Sequence, residues 1–313
     1  MRKNRLGLRF KPAAATVVLT MVLASQATAQ SVATGNSWDA ANFVEETGGD
    51  QRINFSGKLR MLSQRMPAAA CNLHDGISPS STRAALNGAL QEFDEILSAL
   101  EFGDDARGIY GPEERHRTLR VIEEVHKTLA PIKDALVSEA GDPLTNQTAQ
   151  VLADQNLPLL EIAKLLVSEL SGQYANPVAL LQSDAMTIDI AGRQRMLTQK
   201  MSKELCFALS DIEAPTARDT LSKTMHLFEV SLGALQNGMA EVGIQPPPND
   251  EIIAGLEIVS TEWNAVRGYV QTVLADGTLT ADQRAFVFDG LSTTLREMNK
   301  VVGMYADASK LNL

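Results

Sequence analysis

A stretch of fourteen residues occurs twice in this chain. Ile53-Asn-Phe-Ser-Gly57-Lys-Leu-Arg60-Met61-Leu-Ser-Gln64-Arg65-Met66 returns 135 residues later as Ile188-Asp-Ile-Ala-Gly192-Arg-Gln-Arg195-Met196-Leu-Thr-Gln199-Lys200-Met201. The offset persists downstream, where Cys71 falls on Cys206, Leu86 on Leu221, Phe93 on Phe228, Leu97 on Leu232 and Leu100 on Leu235. It then drifts by one or two residues, so that Leu119 meets Leu256 and Glu161-Ile-Ala-Lys164 meets Glu297-Met-Asn-Lys300. A register held over this length and broken only by small loop changes means duplication. The chain therefore folds as two copies of one unit.

Each copy reads as four helices. Ala, Leu, Glu and Gln are common, aromatic residues are only 5% of the chain, and no alternating run of β-branched residues suggests a strand. In the first copy the helices are expected at 37–76, 82–102, 112–139 and 145–172, with breaks at Gly76-Ile-Ser-Pro79, Gly103 to Pro112 and Gly141-Asp-Pro143. In the second they are expected at 177–210, 215–241, 249–275 and 280–310, with breaks at Ala214-Pro215, Pro246-Pro247-Pro248 and Gly277-Thr-Leu-Thr. Short connections between long amphipathic helices make neighbours antiparallel. The fold class is all-α: two tandem up-down-up-down four-helix bundles, spanning 37–173 and 177–313. The turn from Ser171 to Pro177 is long enough to reverse the chain, which would set the two first helices parallel.

The N-terminus reads as an export signal. Arg2, Lys3, Arg5, Arg9 and Lys11 precede an apolar run from Ala13 to Ala24, and Ala27-Thr-Ala29 offers the small-x-small cleavage pattern. Removal of residues 1–29 leaves a short flexible start at 30–36 and no later run apolar enough to span a bilayer. The mature chain is expected in the periplasm. All 38 acidic residues lie beyond the signal but five of the 28 basic ones lie within it, so the mature formal charge is −15. Such a chain repels nucleic acid and anionic lipid. Any anion it binds must be held by local arginines.

On a helix, Phe55, Leu59, Leu62, Met66 and Leu73 form a bundle-core seam. The opposite side carries Ile53, Gly57, Arg60, Gln64 and Cys71, matched in the second copy by Ile188, Gly192, Arg195, Gln199 and Cys206. Small and polar residues thus surround an arginine twice over. One reading is close helix packing with the arginines at the surface. The other is an oxyanion site, since a guanidinium donates two parallel hydrogen bonds and stays charged when partly desolvated, and a glycine one turn earlier opens room beside it. Met61, Met66, Met196 and Met201 are expected in the core.

Other constellations point to no chemistry. Glu113-x-x-His116 and Glu123-x-x-His126 share one expected helix, whereas a carboxylate-bridged metal pair needs facing helices. Trp263 replaces His126 in the second copy. His74 and His226 read as isolated surface residues. There is no Cys-x-x-Cys-His and no nucleophile–base pair, so neither a cofactor nor an enzyme is expected.

The repeated Ile-Asn-x-Ser/Ala-Gly-x-x-Arg-Met-x-Ser/Thr-Gln-x-Met resembles the P-box on the first helix of NarX-like periplasmic sensor domains. These include the input domains of nitrate/nitrite sensor kinases and the PilJ-type N-terminal domains of pilus chemotaxis transducers. The resemblance covers both repeats, most strongly in their first helices. It implies a non-catalytic sensor whose P-box arginines, here Arg60 and Arg195, share one nitrate or nitrite ion, with Gly57 and Gly192 beside them and Met61, Met196, Gln64 and Gln199 in support. The sensor kinases achieve this with two subunits; here the two bundles would pack as an internal pseudo-dimer, unless they stack end to end. The sequence holds no output segment of such receptors, so a membrane receptor or a pilus or chemosensory partner is implied. The alternative is a ligand-free helical scaffold of a pilus, envelope or chemosensory complex.

The two cysteines occupy the same position in the two copies, 11 residues after each arginine. That is about three turns, so thiol and arginine share a face. If the first helices pair in parallel in an oxidising compartment, Cys71 and Cys206 form a disulfide; otherwise they are two buried free thiols.

Overall fold

A computed structural model describes residues 47–139, 141–174 and 182–311. The signal, the flexible start and residues 37–46 of the first expected helix lie outside these, as do residues 175–177 of the expected reversing turn, whose first four residues instead continue the preceding helix.

Among the described residues, eight α-helices run in the order expected. The first bundle holds α1 (Gly49–His74), α2 (Pro79–Phe102), α3 (His116–Val137) and α4 (Asn146–Tyr174). The second holds α5 (Gln182–Leu209), α6 (Ala217–Asn237), α7 (Asp250–Leu274) and α8 (Ala281–Leu311). Gly and Pro set the boundaries: Gly76 follows α1 at φ 70°, and Pro79 opens α2 where its missing N–H costs nothing. Asn249 caps α7 by accepting from the Ile252 N–H at 2.9 Å.

The first helix of each copy is its hub. α1 packs on α2 and α4, and α5 packs on α6 and α8. α1 and α5 also pack on each other about as extensively as either does on a single neighbour within its own bundle. Leu59, Leu62, Met66 and Leu73 are fully buried, with Phe55 partly buried against them. The second, small and polar face of each first helix is therefore the face joining the copies. Matched residues pair across it, Cys71 with Cys206 and the Arg60 end with the Arg195 end, so the two helices run parallel and the bundles sit side by side.

One repeated element is absent from the sequence reading. After α2 and after α6 the chain makes a one-turn 3₁₀ helix (Asp105–Arg107, Ala240–Val242) closed by a two-residue bridge, Asp104 with Ile109 and Met239 with Ile244. Ile109 and Ile244 plug the ends of the two cores. The second helix of copy two thus stops at Asn237 and does not reach 241. Gly238 turns the chain there at φ 76°, and a Cβ would lie 2.9 Å from Pro246. Likewise α3 starts at His116 and not at 112, because Glu113 is held in a structural cluster.

That cluster centres on Arg52, only 1% exposed. Its guanidinium donates to the carbonyls of Thr47, Leu100 and Tyr110 at 3.1 Å and of Gly111 at 2.5 Å, and it sits over the Tyr174 ring. Glu113 lies 4.0 Å away and accepts from the hydroxyl of Tyr174 at 3.1 Å. In copy two Thr187 stands in place of Arg52 and Pro248 in place of Glu113. There the Tyr305 hydroxyl takes the Leu235 carbonyl, the counterpart of Leu100, and a cleft of ≈ 50 Å³ remains.

Candidate functional site

The seam between α1 and α5 carries the site. An ideal Cβ on Gly57 would lie 3.5 Å from Arg60 Nη2 and 3.8 Å from Arg195 Nη2; one on Gly192 would lie 3.5 Å from Arg195 Nη2. Both guanidinium ends therefore rest on one bare patch of helix backbone. The glycines provide that patch, because a side chain at Gly57 would lie in contact with both cations and take up room beside them.

The arginines are held differently. Arg195 is 4% exposed. Its Nη1 donates to Asn299 Oδ1 at 2.8 Å and its Nε to the Gly192 carbonyl at 3.4 Å. No carboxylate among the described residues reaches it to form an ion pair. Burial, and then repulsion from Arg60, pull its pKa down to about 10. The Arg60 side chain is 11% exposed, and its Nη1 lies 3.5 Å from Asp189 Oδ1 on the other copy. Burial lowers its pKa also, and the attraction of Asp189 offsets that only in part.

Gln64 and Gln199 are fully buried but serve the layers below the arginines. Gln64 donates to the Asn156 carbonyl at 3.3 Å and accepts from Lys203 Nζ at 2.8 Å. Gln199 accepts from Arg65 Nη1 at 3.1 Å. Each of these two contacts with a cation ties one copy to the other. Met61 and Met196 join the apolar core. The structure thus brings Arg60, Arg195, Gly57 and Gly192 together and uses the glutamines as clamps.

Several residues of the seam escape sequence reading. Lys203 is 3% exposed, with Nζ also 2.7 Å from Asn156 Oδ1. Burial drives its pKa down to about 8. A signal existed, since the matching position of copy one is Ala68. Asp189 also left a trace, as copy one has Asn54 at its place in the motif. Asn299 and Arg65 left none.

Farther along the seam, Cys71 Sγ is bonded to Cys206 Sγ at 2.04 Å, both residues fully buried. Arg284 Nη2 lies 3.2 Å from Cys206 Sγ and 2.5 Å from Asp75 Oδ2, while Ser210 donates to Asp75 at 2.8 Å. His74 belongs to this cluster and is not the isolated surface residue expected. One ring nitrogen faces the Leu144 carbonyl at 3.0 Å and the other faces Asp211 Oδ1 of the second copy at 2.9 Å. Both neighbours only accept, so the doubly protonated ring satisfies both contacts. Burial works against that charge, but the bonds to Asp211 and Leu144 and the charges of Asp75 and Asp211 outweigh it and raise the pKa above 6.5.

A pH dependence follows. A raised folded pKa gives stability that is complete below the unfolded pKa of about 6.5 and is lost as pH rises through the folded value. Melting temperatures compared at about pH 5.5 and about pH 8 should fall with pH in the parent protein, and fall less in His74→Gln. Equal falls in both proteins would remove His74 from the account.

His116 is exposed, and His126 bonds to the Glu101 carboxylate at 3.2 Å. No helix among the described residues is long and apolar enough to cross a membrane.

A family model described as type IV pili methyl-accepting chemotaxis transducer N-terminal, PilJ, matches the chain twice, over residues 44–154 and 178–286. No curated protein matches it.

Proposed function

The chain belongs to the PilJ family of type IV pili methyl-accepting chemotaxis transducer N-terminal domains, and from that premise we propose that it is a periplasmic, non-catalytic sensory module for a small oxyanion such as nitrate or nitrite. One observation carries this reading: two guanidiniums from two copies meet over Gly57, one of them buried without a carboxylate partner among the described residues. Two cations drawn together in a largely buried seam repel each other and lose hydration. A bound anion relieves both costs and uses the planar donor forks. The ligand state would then be presented to a membrane receptor or a chemosensory partner.

The ion pair between Asp189 and Arg60 favours a second reading, a ligand-free scaffold whose arginines are neutralised internally. Calorimetric titration of the purified protein with nitrate, nitrite and sulfate separates the two. Saturable heat at one site per chain, lost in Arg195→Ala, supports the anion module. Absence of heat with all three salts supports the scaffold.

A further inference from the structure

We propose that Asp189 sets the charge selectivity of the arginine site, matching it to monovalent oxyanions and against divalent ones; this rests on the anion-binding reading above. The two copies differ at this place. Asp189 lies one turn before Arg193 and three residues before Gly192, and copy one has Asn54 in the same register. Asp189 Oδ1 approaches Arg60 Nη1 at 3.5 Å, crossing from the second copy to the first. Its other oxygen is held by Arg193 Nη2 at 2.6 Å. The carboxylate is 41% exposed, so it lies on the open side of a site whose other arginine is buried. The charges that act on the two guanidiniums are those of Asp189, Arg193 and Glu92, so together with Arg60 and Arg195 the cluster carries a net charge of one. Arg193 and Glu92 act from exposed positions, where solvent weakens both charges alike.

Two consequences follow from Coulomb's law. A monoanion over Gly57 brings the cluster to neutrality, whereas a dianion leaves an unbalanced negative charge in a half-buried place. Every entering anion must also displace Asp189 from Arg60 or lie beside it, so the carboxylate competes from within the fold. Arg60 at 3.5 Å is held loosely enough for this, since a tight charge-assisted bond is shorter by more than half an ångström. Asp189 acts by repelling the wrong charge, which is how specificity is commonly built when attraction alone cannot discriminate.

The test replaces Asp189 by its isosteric amide, the residue type that copy one carries. Asp189→Asn removes one negative charge, keeps the shape and alters an exposed position, so folding is retained; thermal melts check this. Sodium nitrate and sodium sulfate are titrated calorimetrically into the parent protein, Asp189→Asn and Arg195→Ala. The expected result is nitrate binding at least tenfold tighter in Asp189→Asn, about 1.4 kcal/mol. Sulfate should gain by a larger factor, so the preference for nitrate falls. If the parent binds nitrate and Arg195→Ala does not, but Asp189→Asn leaves the nitrate-to-sulfate ratio unchanged or weakens nitrate, the proposal fails and the anion site stands. If neither the parent nor Asp189→Asn binds either salt, the anion reading fails and takes this proposal with it.

Discussion

Replacing both cysteines by alanine is expected to lower the free energy of unfolding by about 4–5 kcal/mol, the chain-entropy value for a closed loop of this length. The bond joins residues 135 apart, one in each bundle, so in the unfolded chain it ties together nearly half of the sequence. It is fully buried beside the Arg284–Asp75 pair, where reductants have poor access until the seam opens. Denaturant titration of the parent, the reduced parent and Cys71→Ala/Cys206→Ala measures the effect. The double variant should also bind anion more weakly, because the same two helices carry the arginines three turns away. A loss under about 1 kcal/mol would mean that packing of α1 on α5 already constrains the unfolded chain as much as the bond does.

The second large effect concerns Lys203. Its ammonium is buried against Gln64, Asn156 and the ring of Phe207, with no ion-pair partner among the described residues. A folded pKa near 8 against an unfolded value near 10.5 means that the unfolded state binds more protons between these limits. Stability should therefore rise as pH climbs through this window, by about 3 kcal/mol in all. Put the other way, the contribution present above the unfolded pKa is lost as pH falls through the folded one. Arg195, Tyr174 and Tyr305 titrate higher, so the interval from about 8 to about 10 belongs chiefly to Lys203. Lys203→Met should flatten that rise. The slope is the informative quantity, since the variant also strips partners from Gln64 and Asn156 and shifts the absolute stability. A parent protein whose denaturation midpoint is flat over this interval would show that the amine is solvated or paired in solution.

Why nature would keep such a group is suggested by where it sits. Lys203 spans from α5 to α1 and α4, and Arg65 spans from α1 to α5 and α8. These polar clamps fix the register that places Gly57 under both arginines.

The sequence made the fold legible for a specific reason. A duplicated motif fixed two copies in register, and Pro and Gly punctuated nearly every helix end. It also made the arginine–glycine patch legible, because two copies kept the same unusual face. What it concealed was pairing. Periodicity says which side of a helix is polar, but not that Gln64 would meet Lys203 of the other copy, or that His74 would reach Asp211. Arg52 was passed over because copy two has Thr187 at its place, so a search for repeated features discards it. The turns after Gly103 and Gly238 were missed because their closing residues, Ile109 and Ile244, look like ordinary core positions. Asp189 stood in plain view within the motif, where a single Asn-to-Asp change alters the charge of the seam.

The central claim is that Arg60 and Arg195 jointly hold one small anion. Thermal melts of the parent, Arg60→Ala and Arg195→Ala, with and without sodium nitrate, test it most directly. At a hundredfold excess over the dissociation constant, nitrate should stabilise the parent by about 2.7 kcal/mol and neither variant. Without nitrate, Arg195→Ala should melt no lower than the parent or somewhat higher, because a buried repulsion is removed. An anion-independent loss of stability in both variants, with no nitrate-dependent shift in the parent, would contradict the claim and leave the arginines as structural groups.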